Sequence, residues 1–285
     1  MTGGHRELPG LGRVKPLLRA SVNALPYGMR RAIRFIPGFA AGQRWLVNRV
    51  MNGETFVHAI NAGPASGLQF EVSLPSDKAV WAGTYEAEFA RELSRSVTRG
   101  DVCYDVGGYR GYMSAVMALA GASKVIVFEP LPVNRKALKR LCELNPKLPI
   151  EIRPFAIADG DGTGRLRVLA DTSMAKLASS PFQNNAVSGR EISIDIRRID
   201  TLVAAQECLP PNIIKIDVEG AELDVLRGAR AVLDRYRPAV FLEAHSDELE
   251  QGCLGELRRL GYVTRRLGPA PRAGEIPRHL LCVRK

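Results

Sequence analysis

The first recognisable rhythm of apolar and polar positions begins after residue 53. Alternating apolar positions on both sides of Asn61-Ala-Gly-Pro predict a β-hairpin at 54–75. An apolar residue at every fourth position then predicts a helix around 84–97, because that spacing places one face of a helix against a core. We interpret 54–98 as a hairpin and helix that lead into the main domain.

From residue 99 onward, short apolar runs alternate with helical patterns. The predicted strands are 102–106, 125–128, 150–157, 213–217 and 239–243, and the predicted helices are 110–120, 132–144, 221–236 and 247–260. This alternation is typical of a doubly wound, mostly parallel α/β sheet. Alternating segments also predict an antiparallel insertion at about 160–198 and a C-terminal antiparallel hairpin, so we predict one domain over 99–285.

Residues 1–53 read as an appended, basic helical extension. The net charge of the chain is +10, and residues 1–50 contain nine of its 40 Lys and Arg residues but only Glu7 of its 30 acidic residues. Short amphipathic pieces of this kind pack on the core or on a second subunit, or lie on an anionic membrane. A cleaved transit peptide is a further alternative.

The remaining bulk properties narrow the class of protein. No apolar run reaches the roughly 18 residues of a membrane span, and five scattered cysteines form no C-x-x-C pair. Outside the extension the charge is nearly balanced, whereas an enzyme of nucleic acids usually carries basic surface around its cleft. We therefore expect a cytoplasmic protein, with optional membrane contact or homo-oligomerisation through residues 1–50 and no nucleic-acid partner.

The most informative segment is the turn Asp105-Val-Gly-Gly-Tyr-Arg-Gly111 after the first strand of the domain. Gly107, Gly108 and Gly111 let the backbone approach a ligand, and the next helix offers unpaired N–H groups. Asp105 would repel a pyrophosphate but suits an ammonium and a sulfonium group. The turn, which includes Tyr109, therefore favours S-adenosylmethionine over NAD, although an ordinary tight turn stays an alternative.

Two further positions fit a nucleoside. Glu129 ends the second strand of the domain, where a carboxylate can accept hydrogen bonds from ribose hydroxyls. Phe155 and Ala156 end the third strand, where an adenine ring would lie. A solvated acid and plain core packing are the respective alternatives.

An acidic segment follows at the ends of the last two parallel strands. Lys215, Asp217 and Glu219 share one side of a strand that should be buried, which is costly unless they are paired or functional. His245, on the same side as Glu243, is our candidate general base, with Asp217 and Glu219 positioning an acceptor. A buried Lys–acid pair and a loop histidine are the alternatives. Although Asp217, Glu219, Glu222 and His245 could form an oxygen-rich site, no ligand spacing supports one, and we expect no metal.

Taken in order, several motifs resemble those of the FkbM-type methyltransferases over about 67–245. They are Trp81-Ala-Gly-Thr-Tyr-Glu86, Gly100-Asp-Val-Cys-Tyr-Asp-Val-Gly107, Phe128-Glu-Pro-Leu-Pro-Val-Asn134, Ala156-Ile-Ala-Asp159, Ile214-Lys-Ile-Asp-Val-Glu-Gly-Ala-Glu222 and Leu242-Glu-Ala-His245. The resemblance implies a class I, Rossmann-like methyltransferase fold and O-methylation of a sugar, polyketide, lipid or other natural product by in-line transfer from S-adenosylmethionine. It also implies that Glu86, Pro130, Asn134 and Asp217 contact the cofactor.

One motif departs from the family pattern. The family usually has D-x-G-A-N-x-G at the cofactor turn, whereas Gly108, Tyr109 and Arg110 stand here at the alanine, the asparagine and an apolar residue. Two other function classes therefore stay open at this point. One is an NAD-dependent oxidoreductase, and the other is a non-catalytic membrane- or partner-binding protein on a methyltransferase scaffold.

Overall fold

The computed structural model describes residues 55–74, 76–168, 175–177, 190–268 and 278–284. The predicted extension at 1–53 lies outside these residues. The chain divides into two compact units, and the larger consists of 57–71 and the residues from 79 onward. Among the described residues, 55–56, 72–74 and 76–78 belong to the other unit.

Thirteen strands and eight helices lie within the described residues. The strands are β1 (Thr55–Ala59), β2 (Gln69–Ser73), β3 (Val102–Val106), β4 (Lys124–Phe128), β5 (Ile150–Arg153), β6 (Ala156–Ile157), β7 (Gly162–Val168), β8 (Ala175–Leu177), β9 (Arg190–Arg197), β10 (Ile213–Ile216), β11 (Ala239–Ala244), β12 (Tyr262–Arg266) and β13 (Arg278–Arg284). The helices are α1 (Lys78–Ala82), α2 (Ala87–Ser96), α3 (Tyr112–Ala120), α4 (Pro132–Leu144), α5 (Ile199–Ala204), α6 (Glu222–Gly228), α7 (Arg230–Tyr236) and α8 (Asp247–Arg259).

The central sheet has seven strands in the order β12-β13-β11-β10-β3-β4-β5. The pairs from β11 to β5 are parallel, and β13 is antiparallel to both of its neighbours. Every residue of β3 and β10 is buried, as expected for parallel strands covered on both faces. This arrangement confirms the predicted Rossmann-like class I fold with a C-terminal antiparallel hairpin.

Two predicted elements are wrong in their extent. The strand predicted at 150–157 is interrupted at Pro154, which has no N–H for a ladder. Its second part, β6, pairs with β9 in a separate four-stranded sheet ordered β6-β9-β7-β8. The helix predicted at 221–236 is two helices, α6 and α7. Gly228 at the end of α6 packs so closely on Ala158 that an added Cβ would lie 2.0 Å from its carbonyl oxygen.

The sheet creates a crevice where its winding reverses direction. From β3 the chain proceeds through β4 to β5 on one side, whereas β10 and β11 lie on the other side of β3. Open α/β sheets bind ligands at such a switch point, outside the carboxyl ends of the strands. Within the described residues no helix is both long enough and apolar enough to cross a membrane.

Candidate cofactor and acceptor site

A cavity of about 380 Å³ opens at this switch point. Its volume lies in the usual range of small-molecule sites. Residues from the carboxyl ends of the central strands, from α3 and α4, and from the second sheet line it. They are Tyr85, Glu86, Val106, Gly107, Gly108, Tyr109, Tyr112, Met113, Phe128, Glu129, Pro130, Leu131, Asn134, Ala156, Ile157, Leu166, Lys215, Asp217, Val218, Glu219, Ala221 and Glu243.

The glycine turn brings backbone directly to the cavity. Gly107 has a φ of 81°, and an added Cβ would lie 1.8 Å from the carbonyl oxygen of Asp217. At Gly108 an added Cβ would lie 2.1 Å from Cγ1 of Val127. Steric contact with the neighbouring strand therefore explains the glycine at position 108, where the family pattern has alanine.

Strained backbone concentrates at the same cavity. Five described residues other than glycine have a positive φ, and three of them, Glu86, Tyr109 and Glu219, line the cavity. Residues other than glycine, asparagine and aspartate rarely adopt this left-handed conformation. Its clustering here indicates a functional site, since such strain persists only where the surroundings impose it. It also gives a reason for the asparagine of the family pattern at position 109, which tolerates this backbone.

Arg110 anchors the turn from outside the cavity. Its guanidinium donates a hydrogen bond to the carbonyl oxygen of Glu71 and lies 5.3 Å from the ring centroid of Phe70. The basic residue at this family position thus fixes the turn against the end of the β1–β2 segment.

Glu129 lines the cavity and is held by backbone donors. Its Oε2 accepts a hydrogen bond from the Tyr109 N–H and its Oε1 accepts one from the Leu131 N–H, both at 2.9 Å. Burial raises the pKa of Glu129 to about 7, although these two hydrogen bonds and Asn134 lower it, and the charge of Asp105 raises it further. Each carboxylate oxygen keeps a second lone pair that can accept a hydroxyl hydrogen.

Asp105 lies beneath the turn and is absent from the cavity lining. Its fully buried Oδ2 accepts a hydrogen bond from Ser114 at 2.5 Å, and its Oδ1 lies 3.1 Å from Nζ of Lys215. The carboxylate is therefore engaged in the interior. Direct contact between Asp105 and the cofactor was predicted, but the Asp105 carboxylate is already paired with Ser114 and Lys215 and does not line the cavity.

Lys215 connects Asp105 to the cavity. Its Nζ donates to the carbonyl oxygen of Gly107 at 3.0 Å and lies 3.1 Å from Oδ2 of Asp217. Burial alone would lower the pKa of Lys215, but Asp105 and Asp217 raise it above its ordinary value. The lysine is thus a buried cation that orders the turn and orients Asp217.

His245 lies next to four carboxylates. Its Nδ1 is 2.6 Å from Oε1 of Glu222, and its Nε2 is 3.6–3.7 Å from oxygens of Asp217, Glu219 and Glu243. Burial lowers the pKa of His245, but the hydrogen bond to Glu222 and the surrounding charges raise it to about 9. The imidazole therefore keeps its proton at neutral pH in this site, and it is not among the cavity-lining residues.

A second group of titratable side chains surrounds Glu243. Nε2 of His279 lies 3.4 Å from Oε2 of Glu243 and 3.8 Å from Oε2 of Glu86. Burial and the charge of Glu243 raise the pKa of Glu86 to about 7. Burial and the adjacent Glu86 also raise the pKa of Tyr85, whose ring packs edge-on against Tyr112 at 5.5 Å.

The structure brings most of the predicted site residues together. Those that line the cavity are Glu86, Gly107, Gly108, Tyr109, Glu129, Pro130, Asn134, Ala156, Asp217 and Glu219. Gly111 is the N-cap residue of α3 and does not line the cavity. Phe155 packs on Phe128 and Arg197 instead of on the cavity. Of the two residues predicted at the adenine position, only Ala156 lines the cavity.

Sequence reasoning missed part of the lining. Tyr85 and Tyr112 form an aromatic wall, and Leu166 reaches the cavity from β7. Tyr85 directly precedes Glu86 in the Trp81–Glu86 motif, and this position could have identified it as a residue near the site. Nothing local indicated Leu166, because its approach depends on how the second sheet packs.

The chain is similar in sequence to several known proteins. The family model for the methyltransferase FkbM domain matches residues 105–278. Hexuronic acid methyltransferase AglP of Haloferax volcanii is 28% identical over 165 residues, which cover 56% of this chain and 63% of AglP. Methyltransferase 1 of Beauveria bassiana is 25% identical over 186 residues, covering 55% of this chain and 74% of that protein.

Among solved structures, the methyltransferase FkbM from Methylobacillus flagellatus KT matches with a TM-score of 0.45 and 20% identity. The match covers 64% of this chain and 43% of that one. The chain thus spans less than two thirds of both AglP and this FkbM protein. The family model, by contrast, covers more than half of the chain and includes the glycine turn and the acidic segment. The chain therefore belongs to the FkbM methyltransferase domain family.

Proposed function

We propose that this protein transfers a methyl group from S-adenosylmethionine to a hydroxyl oxygen of a sugar-like acceptor. The observation that carries the proposal is that two different groups of residues line the same cavity. One end has a backbone turn and the buried carboxylate of Glu129, and the other end has a row of acidic side chains. Membership of the FkbM family supports methyl transfer as the reaction.

The residues at the first end fit an adenosine. Glu129 would accept hydrogen bonds from the ribose, and Ala156, Ile157 and Leu131 would form the apolar walls for the adenine. The turn at Gly107 would face the amino-acid portion, with its backbone held by Lys215. When bound, S-adenosylmethionine supplies an electrophilic methyl group on a positively charged sulfur.

The residues at the second end would hold the acceptor. Asp217 and Glu219 line the cavity and can accept hydrogen bonds from hydroxyl groups. Lys215 keeps the carboxylate of Asp217 in one orientation. Correct placement of two reacting groups supplies much of the rate of such a reaction, since it removes the entropy of bringing them together.

The sequence-based assignment of His245 as general base is revised. His245 is outside the cavity lining and holds its proton at neutral pH, so it is poorly suited to accept another one. We propose instead that Glu219 accepts the proton of the acceptor hydroxyl. Glu219 lines the cavity, and its Oε2 lies 3.6 Å from Nε2 of His245. In this assignment His245 is a positioning residue that acts through the neighbouring carboxylates.

A sugar is the acceptor class that we favour. AglP, at 28% identity, is described as a hexuronic acid methyltransferase. Neighbouring carboxylates suit an acceptor with several hydroxyl groups, because each oxygen can accept a hydrogen bond. The aromatic wall of Tyr85 and Tyr112 adds an apolar surface of the kind that a sugar ring can contact.

The first test is calorimetric titration of the whole chain with S-adenosylmethionine and, separately, with NAD⁺. We expect saturable binding of the methyl donor at micromolar concentrations and none of NAD⁺. The absence of binding at millimolar S-adenosylmethionine would overturn the proposal, and tighter binding of NAD⁺ would favour an oxidoreductase.

A second test addresses the acceptor. The protein is incubated with S-adenosylmethionine and a panel of neutral hexoses, hexuronic acids and an aliphatic alcohol, and the products are examined by mass spectrometry. We expect one added methyl group on a sugar and none on the alcohol. Cofactor binding without methylation of any sugar would contradict the acceptor class and leave the cofactor assignment standing.

A further inference from the structure

Three side chains at the ends of adjacent strands converge on one point beside the cavity. Asp217 follows β10, Glu243 lies in β11 and His245 follows β11. One potential ligand atom from each lies within 4.8 Å of the other two. Two carboxylates and an imidazole are a donor set that binds divalent cations in proteins.

Two of these side chains, Asp217 and His245, have a second polar atom held elsewhere. Oδ2 of Asp217 lies 3.1 Å from Lys215, and Nδ1 of His245 lies 2.6 Å from Glu222. The atoms that face one another are Oδ1 of Asp217, Oε1 of Glu243 and Nε2 of His245, with 3.7 Å from the nitrogen to each oxygen. The outer contacts thus orient the inner atoms toward a common centre.

These separations suit a shared ion better than a direct hydrogen bond. A donor and an acceptor 3.7 Å apart are beyond hydrogen-bond distance. Ligands that each lie about 2.1 Å from one ion are separated by roughly 3.0–4.2 Å, depending on the angle between them. The observed 3.7 Å falls inside that interval.

The burial of the Glu243 carboxylate also favours a nearby cation. The residue is 5% exposed, lines the cavity, and its Oε2 has no hydrogen-bond partner among the described residues. That oxygen lies 3.4 Å from Nε2 of His279, whereas Oε1 of Glu243 faces His245. A buried carboxylate without hydrogen bonds is costly, and a bound ion would offset that cost.

We propose that Asp217, Glu243 and His245 bind one divalent cation of the Mg²⁺ or Mn²⁺ type. The Glu222 carboxylate would accept the Nδ1–H of His245, an arrangement common around metal-bound histidines. The ion would displace the proton that Nε2 holds at neutral pH and make Nε2 the ligand atom. This differs from the expectation of no metal, because the sequence did not show that Glu243 faces Asp217 and His245.

The role of the ion rests on the proposed function. Open coordination positions would hold an oxygen of the acceptor next to the methyl donor, and the charge would moderate the acidic end of the cavity. An acidic sugar could then approach carboxylates that would otherwise repel it. Binding of the ion itself does not depend on this role.

A competing position supplies a matched control. Glu86, Glu243 and His279 also bring ligand atoms within 4.8 Å of one another. His245 and His279 both face Glu243, but only His245 also faces Asp217 and has a carboxylate on its other nitrogen. Replacement of each histidine by asparagine therefore separates the two positions.

The test is titration of the metal-free, full-length protein with Mn²⁺ alone, followed by calorimetry and by the loss of the free-ion electron paramagnetic resonance signal. We expect one site per chain. His245→Asn and Glu243→Gln should each weaken binding at least tenfold, while His279→Asn should change it less than threefold. Circular dichroism and thermal unfolding check that each variant is folded.

Several outcomes would overturn the site. These are no binding of Mn²⁺ to the unaltered protein, unchanged binding by His245→Asn, or a larger loss from His279→Asn than from His245→Asn. If His245 and Glu243 variants are unfolded, Asp217→Asn replaces them under the same criterion. Titration with S-adenosylmethionine is run in parallel, so that Mn²⁺ binding without cofactor binding contradicts the proposed function and leaves the ion site intact.

Discussion

Buried acidic groups are stabilised in different ways at the two ends of the cavity. At the end with the glycine turn, the proposed nucleoside end, both oxygens of Glu129 accept hydrogen bonds from backbone N–H groups. At the other end, the proposed acceptor end, a cluster of carboxylates lies beside Lys215, His245 and His279. Its members are Glu86, Asp217, Glu219, Glu222 and Glu243.

This difference shows which forces maintain each end. Backbone donors and close packing shape the nucleoside end, so steric changes should damage it most. Charge balance maintains the acceptor end, so the loss of a single cation should damage that end most. Four substitutions test this contrast, in order of decreasing expected effect.

Replacement of the buried Lys215 should have the largest effect on the free energy of unfolding. Lys215→Met leaves Asp105 and Asp217 without their cation in the interior, and we expect the free energy of unfolding to fall by about 3–5 kcal/mol. Urea denaturation measures the change. The matched control is Lys124→Met, which removes an exposed pair with Glu151 and should cost less than about 1 kcal/mol. Equal losses in the two variants would contradict a charge-maintained acceptor end.

Overpacking of the turn should come next. Gly108→Ala introduces the residue of the family pattern, but its Cβ would meet Val127 at 2.1 Å. We expect a loss of about 1–3 kcal/mol in the free energy of unfolding. Gly160→Ala is the control, since its Cβ would meet no heavy atom within 4 Å.

The double variant Gly108→Ala/Val127→Ala sharpens this test. If the clash is the cause, the double variant should be more stable than the sum of the two single changes predicts. Simple additivity would show that the glycine is required for another reason.

The pH dependence of cofactor binding should reveal Glu129. Because burial raises its pKa to about 7, the group is a carboxylate above pH 7 and becomes a carboxylic acid below it. Affinity for S-adenosylmethionine should therefore decline as the pH falls from 8 to 6, since the acid accepts hydrogen bonds less well. Calorimetry over this range measures the decline.

Glu129→Gln is the control for this pH dependence. We expect its affinity to be at least tenfold lower at pH 8, about 1.4 kcal/mol, and to lack the component of the pH profile that Glu129 contributes. The same profile in both proteins would assign the titration to another group.

The smallest expected effect is a gain in stability from a substitution at Tyr109. Tyr109→Asn places a residue that tolerates the left-handed backbone at a φ of 47°, and we expect up to about 1 kcal/mol of added stability. Gln206→Asn, at a φ of 59° and outside the cavity, should give a similar gain. A change of cofactor affinity in the Tyr109 variant alone would show that the tyrosine ring contacts the cofactor. A loss of stability at position 109 would contradict the strain argument.

Local patterns predicted most of the fold correctly. The strands after Asp101 and Ser123 and the helix at 132–144 appear where apolar periodicity placed them. The exceptions at Pro154 and Gly228 arise from long-range packing, since β6 joins a different sheet and Gly228 abuts Ala158. Periodicity describes which face is apolar, but it does not specify which neighbour will cover that face.

The sequence by itself determined the order of the elements, the family and the residues that gather at the switch point. These follow from local spacing, because the carboxyl ends of parallel strands meet at one edge of the sheet. Only the tertiary structure decided which partners each of those residues contacts and which of them line the cavity. It buries Asp105 under the turn, turns His245 into a partner of Glu222, and brings Glu243 toward Asp217. The physical reason is that the charge state and the contacts of a buried group depend on distances between strands, which no local pattern encodes.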